Sequence, residues 1–232
     1  MRKLVTLPAA FVAAGLVQSA AAQEASNVGS IEVSANVGLF SDYRFRGISF
    51  SDEDFAIQGG IDLGHESGFY LGTWASSLDD DFAGADTEID VYGGYSREVN
   101  GFEFDIGALG YLYPGSSGLA YFEIYGSVGH ALGPVGVSVG VAYAPSSDNL
   151  GNQDNVYIYT SAEYEIPNTG VALSGSLGWE DGAFADDKID WTIGLSRSII
   201  DERLSVSLTY VDTDQPGGLA DSTVVFSIGA EF

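Results

Sequence analysis

The sequence predicts an all-β fold: a transmembrane, antiparallel, up-and-down β-barrel of about 12 strands. Three observations lead there. From about residue 31 onward apolar and polar side chains alternate, which places each set on its own face of a strand. Tight turns and longer polar loops follow one another in strict succession along the chain. Finally, Gly (31), Tyr (13) and Phe (13) are abundant, and no segment after the first residues is apolar for long enough to cross a bilayer as a helix. A membrane-spanning chain without such helices can satisfy its backbone in hydrocarbon only by closing a sheet on itself.

Residues 1–22 read as a cleaved export signal. Arg2 and Lys3 supply its positive start, Leu4 to Val17 its apolar stretch, and Ala20, Ala21 and Ala22 the small residues of a cleavage site after Ala22. Loss of Arg2 and Lys3 with this leader takes the formal charge from −25 to −27, since no acidic residue lies in it. So negative a chain is ill suited to nucleic acid or to anionic lipid surfaces, so no nucleic-acid partner is expected. Cysteine is absent, which excludes disulfides, thiolate metal sites and a lipidated N-terminal cysteine. No metal and no cofactor is expected.

Residues 23–30 are expected to form a short periplasmic segment, and 31–232 the barrel. Strands are predicted to start near 31, 53, 68, 87, 101, 120, 134, 155, 170, 188, 203 and 221, each near the roughly 9–11 residues a tilted spanning strand needs. The first carries Ile31, Val33, Ala35, Val37 and Leu39 on one parity. The fifth sets Phe102, Phe104, Ile106 and Ala108 against Glu103, Asp105 and Gly107. The seventh sets Val135, Val137, Val139, Val141 and Tyr143 against Gly136, Ser138, Gly140 and Ala142. The last runs Val224, Phe226, Ile228, Ala230 and Phe232, a terminal aromatic of the kind barrel-assembly machinery reads. HESG, EVNG, HALGP, EIPNTG and IIDER are the short turns, assigned to the periplasmic rim; FRGISFSDED and WEDGAFADDK are among the long outer loops. Tyr43, Phe69, Tyr111, Tyr113, Tyr143, Trp179, Trp191 and Tyr210 are candidates for aromatic girdles. A soluble barrel or sandwich is the rival fold; there the apolar face would be a packed core.

SDYRFRGIS at 41–49 places two of the eight basic residues two apart in an acidic chain. Continuing the parity of the first strand sends Tyr43 and Phe45 to the outer girdle and Asp42, Arg44 and Arg46 into the barrel. The same rule sends Asp62, Glu88, Asp90, Glu103, Asp105, Glu123, Glu163 and Asp190 to the interior, together with Glu32, Tyr121, Tyr125, Tyr157 and Tyr159. Charges in a narrow lumen carry a desolvation cost unless paired, so the arginines are expected to face this acidic wall. Two roles, which do not exclude one another, are open to them: knitting a nearly closed barrel and shaping the narrow zone of a pore. Arg197 is a further candidate for the interior.

SDYRFRGIS, with QGGIDLGHESGFYLGTWASS at 58–77 and EIDVYGGYSREV at 88–99, resembles the TorF-like porin family of proteobacterial outer-membrane β-barrel proteins. The resemblance is strongest over 30–115 and continues more weakly to the end. It implies a porin fold and an outer-membrane location and names no cargo. Where that family commonly has glutamine after GIS, Phe50 stands here.

Enzyme chemistry finds little support. Gly136-Val137-Ser138-Val139-Gly140 matches a nucleophile elbow in letters, but it falls mid-strand where the elbow requires a strand-to-helix turn. His65 and His130, the two histidines, fall in predicted turns. The acidic runs at 79–81, 86, 148, 154 and 186–187 read as solvated loops, with divalent ions bridging them to lipopolysaccharide phosphates as a secondary idea. The sequence therefore points to a passive channel for small solutes or ions, cation-preferring by its inward carboxylates. The alternative is a closed structural or adhesion barrel whose acidic loops make the contacts.

Overall fold

The computed structural model describes residues 26–28, 30–79, 84–116, 120–200 and 203–232; the export signal and its cleavage after Ala22 lie outside them. The strands are β1 (Ser26–Val28), β2 (Ile31–Phe40), β3 (Arg44–Phe45), β4 (Ile48–Ser49), β5 (Ala56–His65), β6 (Phe69–Ser77), β7 (Thr87–Val99), β8 (Phe102–Leu112), β9 (Tyr121–Leu132), β10 (Val135–Ser147), β11 (Gln153–Ile166), β12 (Val171–Gly182), β13 (Lys188–Ile200), β14 (Leu204–Thr213) and β15 (Thr223–Glu231). Twelve of them, β2 and β5 through β15, make one antiparallel sheet in which each pairs with the next and β15 returns to β2. Closure runs from Ser227 opposite Phe40 to Glu231 opposite Asn36, and the amide of Phe232 bonds the carbonyl of Ala35 beyond it. The twelve wall strands thus leave no open edge between them, and the short β1 is paired with β2 on one side.

The pleat decides the solvent of each face. Ile57, Ile106 and Ile193 are 63 %, 61 % and 60 % exposed, whereas Glu88 and Glu123 on the opposite parity are 0 % and 2 % exposed. A soluble barrel would show the reverse, so the rival fold is excluded: the outward belt is apolar all round and needs hydrocarbon to cover it. β7, β10, β11 and β13 run 13, 13, 14 and 13 residues. That exceeds what a bilayer crossing needs, so their far ends stand clear of the hydrocarbon.

Inside the wall, tyrosines lie flat over glycines of the neighbouring strand. Tyr70 faces Gly94, Tyr92 faces Gly72, Tyr125 faces Gly107 and Tyr159 faces Gly140, each pair directly opposite in register. A Cβ at Gly140 would come within 2.3 Å of the Tyr159 ring, while one at Gly136 would meet nothing within 4 Å. Folding a ring onto a strand that has no side chain buries its face and leaves the lumen wider. Gly140→Ala is therefore expected to destabilise the barrel by about 1–3 kcal/mol through overpacking. Gly136→Ala should be nearly neutral; thermal unfolding of the two variants in the same detergent distinguishes them.

Several expected positions are corrected here. Tyr43, Phe45, Tyr111 and Tyr113 are not girdle residues: all four are buried inside the barrel. Phe69, Tyr143 and Tyr210 do face outward. Arg197 shares the outward parity of Ile193, Leu195 and Ile199, so it does not reach the lumen.

Candidate functional site: an inward-folded hairpin in the lumen

β2 stops at Phe40 because the chain leaves the wall. The amide of Ser41 donates to the carbonyl of Phe226, and the amide of Phe226 donates to Ser41 Oγ at 2.9 Å, which ends the β2–β15 ladder. Residues 41–51 then turn into the barrel instead of forming the polar outer loop the sequence suggested, and the exposed residues 52–55 lead back to β5. Their centre is a small hairpin, with Arg44 opposite Ser49 and Phe45 opposite Ile48. At its base Asp42 accepts from Ser49 Oγ (2.6 Å), from Ser51 Oγ (3.1 Å) and from Arg44 Nε. The Tyr43 carbonyl accepts from the Phe50 amide at 2.8 Å.

The tip is the two-residue turn Arg46-Gly47, with φ of 48° and 91°. Positive φ at both positions is the geometry that matches strand twist in a two-residue hairpin. Gly47 also fits sterically, since a Cβ there would stand 2.9 Å from Thr213 Cβ and 3.2 Å from Asp190 Cβ. Arginine in this conformation costs about 1–3 kcal/mol and persists only where its surroundings hold it.

The surroundings do hold it. Arg46 donates Nη2 to both oxygens of Glu123 at 2.8 Å and Nη1 to Glu180 Oε1 at 2.6 Å. Its guanidinium stacks 4.2 Å from the Tyr157 ring centre. Lys188 closes the network, with Nζ 2.6 Å from Glu180 Oε2 and 2.7 Å from the Arg46 carbonyl. Tyr111 donates to Glu123 Oε2 at 2.9 Å and Asn155 to Glu180 Oε1 at 3.0 Å. Two carboxylates and two cations are thereby buried together with their hydrogen-bonding capacity largely met, the condition under which buried ions are tolerated.

Arg44 faces the other way, donating to the carbonyls of Leu219 (2.8 Å) and Asp221 (3.0 Å) in the β14–β15 loop and to Glu53 (3.3 Å). The aromatic flank rests on β6–β8. Tyr43 packs edge-on against Trp74 and Phe50, each at 5.5 Å, Phe45 meets Tyr111 at 5.9 Å, and Tyr43 donates to Glu88 at 2.9 Å. Burial, then the charges of Glu88 and Asp90, push the Tyr43 phenol well above its ordinary pKa, so it stays a neutral donor. The hairpin thus reaches from the β6–β8 wall to the β11–β13 wall and narrows the lumen.

Of the expected lumen residues, Asp42, Arg44, Arg46, Glu88, Asp90, Glu123 and Asp190 gather at this level, all buried. Asp62 and Asp105 sit on the tyrosine wall instead, accepting from Tyr92 and from Tyr70 (3.0 Å); Tyr70 and Tyr125 are joined at 2.5 Å. Glu103 and Glu163 face the lumen near the opposite rim, opposite Gly129 and Gly136 in register, and the fold does not bring them to the hairpin. Sequence reasoning missed Glu180 and Lys188, which lie at the ends of WEDGAFADDK. The alternation of the flanking strands, carried two residues further, places both inward.

The catalytic motif also dissolves. Ser138 shares a 2.7 Å hydrogen bond with Ser161 on the inner face. His130 lies one rung away, paired with Val137, but on the outer face, stacked on Phe102. Serine and histidine are separated by the sheet.

Residues 23–231 match a family described as a bacterial protein of unknown function, Gcw_chp. The chain belongs to that family. No curated protein matches it. Among solved structures it is similar to the KdgM porin, with TM-score 0.59 and 11 % identity over 86 % of this chain and 98 % of that one. It is likewise similar to the NanC porin, with TM-score 0.57 and 12 % identity over 86 % and 98 %. KdgM has also been solved in complex with disordered oligogalacturonate (TM-score 0.57, 11 % identity, 86 % and 97 % covered). At such identities the likeness is one of fold: a closed 12-strand antiparallel barrel.

Proposed function

We propose that this family member is an outer-membrane channel of narrow bore for small solutes and ions, cation-preferring, with the 41–51 hairpin as its constriction. The observation that carries the reading is a charged hairpin set across the lumen of a barrel whose outside is apolar. The TorF-like resemblance of 41–49, 58–77 and 88–99 supports the same assignment. On this reading residues 1–22 are the export signal, 23–30 lie at the periplasmic rim, Phe232 is the assembly signal, and lipopolysaccharide surrounds the acidic loops.

Cation preference follows from the charges left over. Arg44, Arg46 and Lys188 are matched by Asp42, Glu53, Glu123 and Glu180. Asp62, Asp105, Glu103 and Glu163, all half-buried, face the lumen with no basic group in ion-pair contact among the described residues. A low-dielectric wall focuses that field along the pore. A polyanion such as the one held by KdgM would be opposed by it. In planar bilayers under a salt gradient the reversal potential is expected to be cation-selective, and Arg44→Ala with Arg46→Ala should increase the selectivity. Anion selectivity of the unaltered protein would sink the assignment. A second reading, a closed structural or adhesion barrel, is favoured by the ion pairs that fasten the hairpin to both walls; complete absence of conductance would select it.

A further inference from the structure

The two halves of the lumen wall differ in chemistry. β5–β9 carry Tyr70, Tyr92 and Tyr125 with Asp62 and Asp105, which accept from Tyr92 and Tyr70 and have no ion-pair partner among the described residues. Beneath the hairpin, β12–β15 and β2 enclose a cavity of about 130 Å³ whose wall is built from hydroxyls, among them Ser174, Ser176, Thr192, Ser207, Thr209 and Ser227. Ser176 is 2.7 Å from Thr192 and Ser207 is 2.7 Å from Ser227; in each pair either oxygen can donate, so each pair can turn a donor or an acceptor to a guest.

Two further residues bordering this cavity carry oxygens with no partner. Gln58 is 3 % exposed and its Oε1 is unbonded; Asp190 is 4 % exposed, and while its Oδ1 accepts from Tyr157 at 3.1 Å, its Oδ2 is unbonded. Buried acceptors left unpaired forfeit their hydration without return. The cavity also offers apolar surface, from Phe40, Val211 and Val225. The cations at its roof, Arg44 and Arg46, are already engaged by carboxylates. Acceptors waiting for donors, reversible hydroxyls, a small apolar patch and roof cations already spent are complementary to a molecule that is itself hydroxyl-rich and uncharged.

We propose that this cavity is a binding station for a small neutral polyhydroxylated solute, a monosaccharide or polyol. The proposal rests on the channel reading, whose solute class it specifies. Gln58 and Asp190 accept hydroxyl protons from the guest, the serine and threonine ladder exchanges bonds with the rest, and Phe40, Val211 and Val225 cover its C–H face.

The test is calorimetric titration of the detergent-solubilised protein with D-glucose, sorbitol, glucosamine and glucuronate, run beside bilayer conductance. Glucose or sorbitol should bind, with glucosamine and glucuronate at least several-fold weaker. Gln58→Leu, which keeps the volume and removes the acceptor, should raise the Kd about tenfold without lowering the unfolding temperature. Preference for glucosamine would overturn the proposal in favour of a cation site, and preference for glucuronate would overturn it outright. Equal binding by Gln58→Leu would remove its basis. Conductance without any binding defeats the binding station and leaves the channel; binding without conductance supports the station and defeats the channel.

Discussion

Arg46→Ala is expected to release the hairpin from the lumen while leaving the barrel folded. Truncation strands Glu123 and Glu180 in a buried site from which one of their two cations has gone, and removing one partner of a buried ion pair costs about 3–5 kcal/mol. The strain of Arg46 at φ 48° returns only part of this, because alanine at a positive φ is also unfavourable. The barrel itself is held by twelve hydrogen-bonded interfaces that Arg46 does not touch. Loss should therefore be local. Trypsin reports it directly: Arg44, 6 % exposed in the folded hairpin, becomes a cleavage site, while the strands stay protected. Conductance should rise at the same time. Arg46→Lys should fall between, since an ammonium keeps the charge but cannot span Glu123 and Glu180 with a planar fork. Wild-type protection of the Ala variant would show that Arg46 does not hold the hairpin.

The walls of this barrel were legible in the sequence because a strand has only two faces. Once Ile106 is assigned to lipid, Asp105 and Gly107 must face the lumen, and no tertiary detail can change that. The same rule failed at 41–47 for an instructive reason. Ser-Asp-Tyr-Arg-Phe-Arg alternates as well as any true strand, so parity alone carried β2 straight into the girdle. What separates the two cases is local: Arg46-Gly47 is a two-residue turn of positive φ, and a turn there cannot lie in a continuous strand. Tyr43 and Phe45 are apolar because they meet Trp74, Phe50 and Tyr111 inside the barrel, not because they meet lipid. Glu180 and Lys188 were hidden by the opposite error. Charged residues beside Asp-Gly and Asp-Asp read as solvent loop, yet β12 and β13 continue past the membrane and bring them over the hairpin tip. Pairing partners 134 residues apart, such as Arg46 and Glu180, leave no short-range trace at all.

Excising the hairpin should produce a still larger change in conductance. Phe40 and Ala56 are paired neighbours in the sheet, so the wall has no topological need for the residues between them. Adjacent strands lie about 4.8 Å apart, a gap that a short Asn-Gly turn closes. Replacing 42–54 by such a turn removes Arg44 and Arg46 with Asp42, Asp52, Glu53 and Asp54, and exposes Glu88, Asp90, Glu123 and Glu180 to lumen water, where they more than replace the lost carboxylates at the narrowest level. Once hydrated, these carboxylates no longer need buried partners, so the excision avoids the desolvation cost that the point variant incurs. Single-channel conductance is expected to rise many-fold and cation selectivity to become steeper, weakening as salt shortens the screening length below about 10 Å. Unchanged conductance in a correctly folded variant would mean that the narrowest point lies elsewhere along the lumen, and the constriction would have to be sought on the tyrosine wall around Tyr70, Tyr125 and Asp105 instead.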